Sequence, residues 1–190
     1  MSDLIDIVRN LNRLAVLGRT GLLDTPAEEP FDRLTRLATR LFKTPVALVS
    51  LVDRDRQFFK SAIGLPEPWH SRRETPLTHS FCKYALAQNT PLVIPDARKD
   101  PDYRDNPAVR ELQIVAYAGI PLTVSGFALG AFCVIDDEPR AWSYEEVQTL
   151  KDLADCVMRE IDLRMRLREV EAAWREAAAK VKQLEQIAHS

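Results

Sequence analysis

The stretch YAGIPLTVSGFALGAFCVID (Tyr117–Asp136) decides the fold of this 190-residue chain. It consists of two apolar arms separated by Ser125-Gly126, and glycine supplies the positive φ that a tight hairpin turn needs. Both arms are rich in Val, Ile, Leu and Phe, which favours two paired strands in the middle of a sheet. Gly119 and Gly130 lie inside these strands, where a missing side chain predicts a close approach to the backbone.

Apolar segments upstream extend this hairpin into a larger sheet. Residues 46–53 and 57–63 predict a second hairpin, and residues 92–94 predict a further short strand. Helical patterns precede, separate and follow these strands, which indicates an α+β fold with one antiparallel sheet of five or six strands and helices packed on it. The helix before the second hairpin is expected to follow a capping box at Thr25–Glu28 and to begin at Pro30. Its predicted buried face is Phe31, Leu34, Leu37, Ala38 and Leu41.

Several motifs, in this order along the chain, resemble the GAF domain family of bacterial signalling proteins. The central hairpin carries Tyr-Ala-Gly-x-Pro-Leu and then Leu-Gly-x-x-Cys-Val-Ile-Asp, and Pro-Arg-x-Trp-Ser follows it. The upstream segments that fit the same family are Leu22–Pro26, Val49–Asp53, Gln57–Ser61 and Ser80–Cys82. The resemblance covers residues 20–165. It implies a GAF/PAS-like fold and a regulatory domain. Members of this family bind many different small molecules or none, so the resemblance does not identify a ligand.

Composition excludes several functional classes. A formal net charge of −2 offers no basic surface for nucleic acid or anionic lipid. No apolar run approaches the roughly 20 residues of a membrane span, and the N-terminus lacks the basic head and apolar core of a signal peptide. The three cysteines are far apart and form neither a disulfide framework nor a zinc site. We therefore predict a cytoplasmic protein with no metal, no nucleic-acid partner and no membrane span.

A long terminal helix is predicted from the capping box Ser143–Glu146 to the end of the chain, because neither Gly nor Pro follows. Its first apolar stripe is Val147, Leu150, Ala154, Val157 and Ile161. The step from Ile161 to Leu163 is two residues, about 200° around a helix, so the apolar face switches sides. The first stripe can pack on the sheet, whereas the second has no partner left in the chain and predicts a parallel coiled coil. That second stripe is Leu163, Leu167, Val170, Trp174, Ala177, Val181 and Leu184.

A first helix is predicted from residue 4 to residue 15, with Gly18 as its stop and an apolar stripe of Leu4, Ile7, Leu11 and Leu14. This helix either packs on its own domain or joins the terminal helices in a four-helix dimer bundle. We place its stripe in the interface of a homodimer. The expected organisation is a bundle helix at residues 1–18, a GAF domain at residues 19–162, and a signalling helix at residues 163–190 that leads to an absent output domain.

Candidate ligand-binding residues lie where the resemblance implies a pocket, and they are Asp53, Phe58, His79, Cys82, Tyr117 and Asp136. Cys82 is the strongest of these candidates, because the start of a helix and the neighbouring Lys83 can stabilise its thiolate. Free methionine sulfoxide reductases, which are GAF-fold enzymes, have a cysteine at a similar helix start. The alternative is a small buried thiol. A single imidazole without a partner predicts a cap or a core hydrogen bond for His79 rather than a haem or metal ligand. The cofactor, if there is one, is unknown.

The last residues, Gln183–Ser190, resemble the linker that precedes diguanylate cyclase domains. This resemblance predicts a dimeric sensor that regulates cyclic di-GMP synthesis, with catalysis in the output domain and none in this chain. Three alternatives stay open: the regulatory domain of a histidine kinase, a thiol-dependent sulfoxide reductase that uses Cys82, and a ligand-free dimerisation scaffold. The scaffold would have its pocket filled by side chains such as Phe58, Tyr84 and Phe132.

Overall fold

The computed structural model describes the backbone of residues 2–188 and the side chains of residues 3–187, so the outer ends of the predicted ranges 1–18 and 163–190 lie outside it. One six-stranded sheet forms the centre, in the order β3-β2-β1-β6-β5-β4, and all its pairs are antiparallel. The predicted α+β class is confirmed. In chain order the elements are α1 (Ser2–Val8), α2 (Leu11–Thr20), α3 (Glu29–Phe42), β1 (Val46–Val52), β2 (Arg56–Ile63), α4 (Trp69–Arg72), β3 (Glu74–Pro76), a 3-10 turn (Leu77–His79), α5 (Cys82–Gln88), β4 (Leu92–Ile94), α6 (Pro107–Glu111), β5 (Ala116–Val124), β6 (Phe127–Asp136) and α7 (Tyr144–Ala188).

The central hairpin is confirmed as β5 and β6. Val124 pairs with Phe127, which leaves Ser125 and Gly126 as the two turn residues, with φ values of 50° and 80°. Positive φ at both positions is the signature of a type I′ turn, whose twist matches that of the flanking strands. Because β6 also pairs with β1, it lies in the middle of the sheet, as predicted.

Gly130 allows the two central strands to approach each other. It pairs with Leu51 of β1, and a Cβ added at Gly130 would lie only 1.9 Å from the carbonyl oxygen of Ser50. The ladder between β1 and β2 shifts register at the Val49/Ser50 step, so β1 is irregular where Gly130 faces it. The close approach predicted for Gly130 is confirmed, and the approaching group is the backbone of the neighbouring strand.

Helices cover both faces of the sheet. α2, α3 and the first half of α7 lie on one face, over a core that includes Phe31, Phe58 and Phe132. α1 and α5 lie on the other face, over a core that includes Val8 and Phe59. Successive residues of a strand point to opposite faces, which is why the neighbours Phe58 and Phe59 belong to different cores.

The N-terminal segment forms two helices, and the prediction of one helix over residues 4–15 is wrong. The chain breaks at Arg9-Asn10, where the Asn10 side chain accepts the backbone N–H of Arg13 at 3.0 Å and caps the start of α2. Gly18 is not the stop, because it lies inside α2. The helix ends instead at Gly21, which takes the left-handed conformation common at helix C-termini.

The buried side chain of Arg13 explains this break. Its guanidinium donates to the carbonyl oxygen of Val8, at the end of α1, over 2.9 Å. It also donates to the carbonyl oxygen of Val52, at the end of β1, over 2.8 Å. Burial lowers the pKa of Arg13 to about 10, well above neutrality, so the group stays charged. Arg13 therefore fixes both N-terminal helices to one end of the sheet.

Helix α3 begins at Glu29, with Pro30 in its first turn, and the predicted capping box at Thr25 is wrong. The Thr25 hydroxyl donates to the carbonyl oxygen of Leu22 at 2.5 Å and therefore stabilises the preceding loop. The N-cap is Glu28, which makes no side-chain capping bond. Its carboxylate points to other elements, as described below.

The buried face of α3 is turned relative to the prediction. Leu37 and Leu41 are exposed, whereas Thr35 and Phe42 are buried together with Phe31 and Ala38, which were predicted correctly. The hydroxyl of Thr35 lies 2.8 Å from that of Ser61 on β2. The hydrogen bond between the two hydroxyls offsets the cost of burying them in this face.

The terminal helix α7 is continuous from Tyr144 to Ala188. Its predicted capping box is confirmed: the Ser143 hydroxyl accepts the N–H of Glu146 at 3.1 Å, and the Glu146 carboxylate accepts the N–H of Ser143 at 2.8 Å. Its first stripe packs on the sheet as predicted, with Leu150, Ala154, Val157 and Ile161 buried. No helix within residues 2–188 combines the length and apolar character that a membrane crossing requires.

Candidate functional site

On the face of the sheet beneath α5, the side chain of Tyr117 lies over Gly119. Tyr117 and Gly119 point to the same face of β5, since they are two residues apart. A Cβ added at Gly119 would lie 2.2 Å from the Tyr117 hydroxyl oxygen. The close approach predicted for Gly119 is therefore confirmed, and the group that uses the space is the phenol of its own strand. Only glycine at this position leaves room for that ring.

The Tyr117 phenol ends at a pair of buried thiols. Its hydroxyl donates to the Sγ of Cys82 at 3.4 Å, and the Sγ atoms of Cys82 and Cys133 are 3.8 Å apart. The hydrogen bond from the Cys133 thiol, with help from Tyr117, holds the pKa of the Cys82 thiol below its ordinary value despite burial. Burial raises the pKa values of Cys133 and Tyr117 well above their ordinary range. The phenol of Tyr117 and the thiol of Cys133 are therefore both placed to stabilise a thiolate at Cys82.

The cavity beside these thiols is almost completely filled. Its volume is about 10 Å³, at the lower limit for one water molecule. The Phe81 ring packs on Tyr117 and Tyr103, with ring centroids 5.5 and 6.0 Å apart. The scaffold alternative predicted a filled pocket. However, two of the three side chains predicted to fill it lie elsewhere. Phe58 and Phe132 lie on the opposite face of the sheet, and only Tyr84 packs beside Phe81.

A hydrogen bond between His79 and Glu111 lies at the rim of this cavity. His79 Nε2 lies 2.8 Å from a carboxylate oxygen of Glu111, and His79 Nδ1 lies 3.0 Å from the hydroxyl of Thr78. The Trp69 ring packs on the imidazole with the centroids 5.3 Å apart. This contact joins the 3-10 turn to α6. Within residues 2–188, no group of three or more His, Cys, Asp and Glu side chains is arranged to hold a metal ion.

The structure brings together His79, Cys82 and Tyr117 of the six predicted ligand-binding residues, since all three line this cavity. It does not bring in the other three. Phe58 faces the opposite core, as described above. Asp53 accepts the backbone N–H of Arg54 at 2.8 Å, and Asp136 forms an ion pair with Arg140 at 3.2 Å. The two aspartates therefore stabilise strand ends.

Sequence reasoning missed Gln57, which organises the polar wall of the cavity. Its side-chain oxygen accepts the hydroxyls of Ser50 and Ser80 at 3.0 and 2.8 Å, and its nitrogen donates to Thr75 at 2.8 Å. These contacts join β1, β2, β3 and the start of α5. The sequence offered one signal for this role, a glutamine at the start of an otherwise apolar strand. Such glutamines are too common to identify a binding site.

The second half of α7 leaves the body of the domain. The side chains from residue 166 to residue 187 are all exposed. Exposure reaches 74% at Trp174 and 66% at Leu184. The whole predicted stripe is therefore accessible in the single chain: Leu163, Leu167, Val170, Trp174, Ala177, Val181 and Leu184.

One turn of α7 is the last that contacts the domain. Arg164 forms an ion pair with Glu28 at 2.6 Å, and the same carboxylate contacts the ammonium group of Lys60 on β2. The guanidinium of Arg168 occupies the space above Gly21, where a side chain on that residue would overlap it. The loop between α2 and α3 therefore links the sheet to the point at which α7 becomes free.

The predicted N-terminal stripe is divided between two helices. Leu4 and Ile7 lie on α1, which packs on α5, on the face of the sheet opposite to α7. Leu11 and Leu14 lie on α2, which packs beside α7. Leu11 is 76% exposed and Leu14 is half-buried. Only the α2 half of the stripe is therefore close to the terminal helix of its own chain.

Comparison with known proteins places this architecture in a family. Residues 26–161 match the GAF domain. The chain is 42% identical, over 153 residues, to a cyclic di-GMP phosphodiesterase of Pseudomonas aeruginosa; the match covers 79% of this chain and 25% of that protein. The chain thus spans about a quarter of the length of this curated relative.

Two solved structures illustrate how widely the fold is shared. The GAF domain of an Acinetobacter phosphoenolpyruvate-protein phosphotransferase superposes with a TM-score of 0.60 at 14% identity, covering 83% of this chain and 98% of that one. Free methionine-R-sulfoxide reductase from Neisseria meningitidis superposes with a TM-score of 0.58 at 15% identity, covering 80% and 89%. At such identities the similarity concerns the fold alone. With its sheet, its buried cavity and a family match over most of its length, this chain belongs to the GAF domain family.

Proposed function

We propose that this chain is the dimeric sensory module of a cyclic di-GMP signalling protein. Two copies pair through the exposed stripe of α7 in a parallel coiled coil, and the arrangement of the paired helices sets the activity of a catalytic domain. The effector is a small molecule or a partner that acts on the globular domain. We propose that the role of this chain is regulatory, and we expect it to act in the cytoplasm.

The observation that carries this proposal is the unpartnered apolar stripe of α7. Monomeric proteins rarely expose a continuous apolar surface of this length, because its burial stabilises association. The stripe repeats every three and four residues and is surrounded by Arg, Glu and Lys, which is the pattern of a two-stranded coiled coil. In a parallel pair, equivalent residues such as Trp174 face each other, so the two globular domains lie at the same end.

The junction at Arg164 gives a physical route from the sheet to the coiled coil. Lys60 on β2 and Arg164 on α7 share the carboxylate of Glu28. A change in β2 or in the loop before α3 therefore changes how the last docked turn of α7 is held. An effector shifts the helices only if it binds the two arrangements with different affinity.

The name of the relative favours cyclic di-GMP as the output nucleotide. The linker-like sequence at residues 183–190 predicts control of its synthesis, whereas the 42%-identical relative is named for its breakdown. Both agree on the nucleotide, so we propose control of cyclic di-GMP turnover and leave its direction to experiment. The histidine-kinase context stays a prediction without a further supporting observation.

A sulfoxide-reductase activity is less well supported. Cys82 is 2% exposed, and the cavity beside it is too small for an amino-acid substrate. The similarity to such enzymes is confined to the fold. The same cavity would have to open before any small-molecule effector could enter, and His79 and Glu111 would separate in that step.

A helical phase experiment tests the coupling. Residues 1–188 are fused to the catalytic domain of a cyclic di-GMP phosphodiesterase, with zero to seven helix-forming residues inserted at the junction. Activity should rise and fall with a period of about 3.6 residues, and its extremes should differ by at least about fivefold. The control is the same series with Leu167→Asp and Leu184→Asp, which should be flat. A steady decline with linker length in the unaltered series would contradict coupling through helix orientation.

A further inference from the structure

The two buried thiols have no role in the coupling just proposed, and their surroundings set them apart from ordinary core cysteines. Cys82 and Cys133 lie on different elements, the start of α5 and the centre of β6, yet their sulfur atoms are 3.8 Å apart. The phenol of Tyr117 adds a donor to the Cys82 sulfur at 3.4 Å. Gly119 lies opposite Cys133 in the ladder and provides the room for that phenol.

We propose that Cys82 and Cys133 form a redox site that small hydroperoxides oxidise to an intrachain disulfide. Cys82 is the attacking sulfur, because hydrogen bonds from a thiol and a phenol stabilise its thiolate. Cys133 is the resolving thiol, since it is the sulfur nearest to the oxidised atom in this cluster. This chemistry is independent of the proposed output function.

The reaction balances with the hydroperoxide as the only co-reactant. The Cys82 sulfur attacks the terminal oxygen of the hydroperoxide, so an S–O bond forms and the O–O bond breaks. The leaving oxygen takes the Cys82 proton and departs as an alcohol, or as water when the oxidant is hydrogen peroxide. The Cys133 sulfur then attacks the sulfenic acid, an S–S bond forms, and the hydroxyl group leaves as water with the Cys133 proton.

Access to the two thiols requires a local opening of the domain, because Cys82 and Cys133 are buried. The small cavity beside Cys82 shares the side chains of Leu112 and Ile135 with an outer groove of about 250 Å³. Leu112 directly follows α6, and Gln113 after it has a φ of 53°, a backbone conformation that few non-glycine residues adopt. Opening of this segment would admit a molecule close to water in size and would exclude bulky reagents.

The disulfide would have a defined structural effect. An S–S bond is about 2.05 Å long, so the two sulfur atoms must move closer together by more than an ångström. The bond would tie the first turn of α5 to the central strand β6 and would displace the phenol of Tyr117 from its present hydrogen bond. Oxidation would therefore alter the wall of the cavity.

The test uses the full chain carrying Cys156→Ser, which removes the exposed cysteine. The folded protein is treated with hydrogen peroxide, quenched, alkylated under denaturing conditions and analysed by peptide mass spectrometry without reduction. We expect loss of both thiols, a cross-linked peptide pair containing Cys82 and Cys133, and full recovery with dithiothreitol. A bulky aromatic disulfide reagent should leave both thiols intact in the folded protein.

Single substitutions assign the two roles. In Cys133→Ser, Cys82 should gain oxygen atoms because no resolving thiol is present, whereas in Cys82→Ser the Cys133 thiol should survive the same treatment. The proposal is overturned if both thiols survive peroxide that fully oxidises Cys156 in the unaltered chain, or if Cys133 oxidises without Cys82. Because the cross-link is read in a chain with an intact core, a variant that misfolds does not decide the result.

Discussion

Replacing Gly130 by alanine should destabilise the domain by about 3 kcal/mol or more, the upper end of the range for inserting atoms into a packed interior. The new methyl group would meet the Ser50 carbonyl oxygen at 1.9 Å, and both the oxygen and the adjacent Leu51 Cα belong to backbone that cannot rotate away. The contact lies between β1 and β6, the two central strands, so relief requires their separation. Thermal unfolding at fixed protein concentration should show a Tm lower by about 6–12 °C.

Gly18→Ala is the matched control for this prediction. No atom lies within 4 Å of a Cβ at Gly18, which is an exposed residue inside α2. Alanine there should stabilise the protein by about 0.5–1 kcal/mol, because glycine loses more conformational freedom in a helix. Two chemically identical substitutions should thus have opposite signs. A neutral Gly130→Ala would mean that the central strands do not approach as closely as described.

Replacing Glu28 by glutamine should cost about 3 kcal/mol, because it leaves a buried ammonium group without a carboxylate. The Lys60 side chain is fully buried on β2, and its other partners are the hydroxyl of Thr25 and the carbonyl oxygen of Pro26, both at 2.7 Å. Removing one member of a buried ion pair typically costs 3–5 kcal/mol, and we expect the lower end since Glu28 is partly exposed. The same change releases Arg164 of α7.

The double variant Glu28→Gln with Lys60→Met distinguishes a buried charge from lost packing. Methionine fills a similar volume without charge, so the double variant should regain much of the stability lost in Glu28→Gln. Burial holds the pKa of Lys60 below its ordinary value. Glu28 opposes this shift, so the pKa of Lys60 should fall further in Glu28→Gln and the buried ammonium group should lose its proton at a lower pH. The deficit of Glu28→Gln should therefore shrink as the pH rises into the alkaline range. A deficit of equal size in both variants and at all pH values would contradict this account.

The features that sequence predicted correctly depend on local patterns. The tight turn at Ser125-Gly126 follows from a glycine that tolerates positive φ. The packing of the first α7 stripe, from Leu150 to Ile161, follows from its spacing around a helix. The capping box at Ser143 needs only residues three positions apart. In each case the residues that determine the structure are neighbours in the chain, so no knowledge of the tertiary fold was required.

The features that sequence did not predict depend on contacts between distant segments. Alternation along β2 places Phe58 and Phe59 on opposite faces, but it does not say which face α5 will cover, and Phe58 was assigned to the wrong one. The N-terminal helix breaks because Arg13 contacts Val52, which lies far along the chain. The pairing of Cys82 with Cys133 depends on α5 folding over β6. Periodicity gives the faces of an element, whereas packing partners require the assembled sheet.

Light scattering on the eluting peak of a size-exclusion column tests the central claim most directly, namely that the free stripe of α7 holds two chains together. The unaltered chain should have twice the mass of one chain, and Leu167→Asp with Leu184→Asp should give a folded monomer, because charges cannot be buried in a coiled-coil seam. The control is Ala172→Asp with Ala179→Asp, on the opposite side of the same helix, which should remain dimeric. A monomeric unaltered chain, or a dimer that survives both changes in the stripe, would contradict the account.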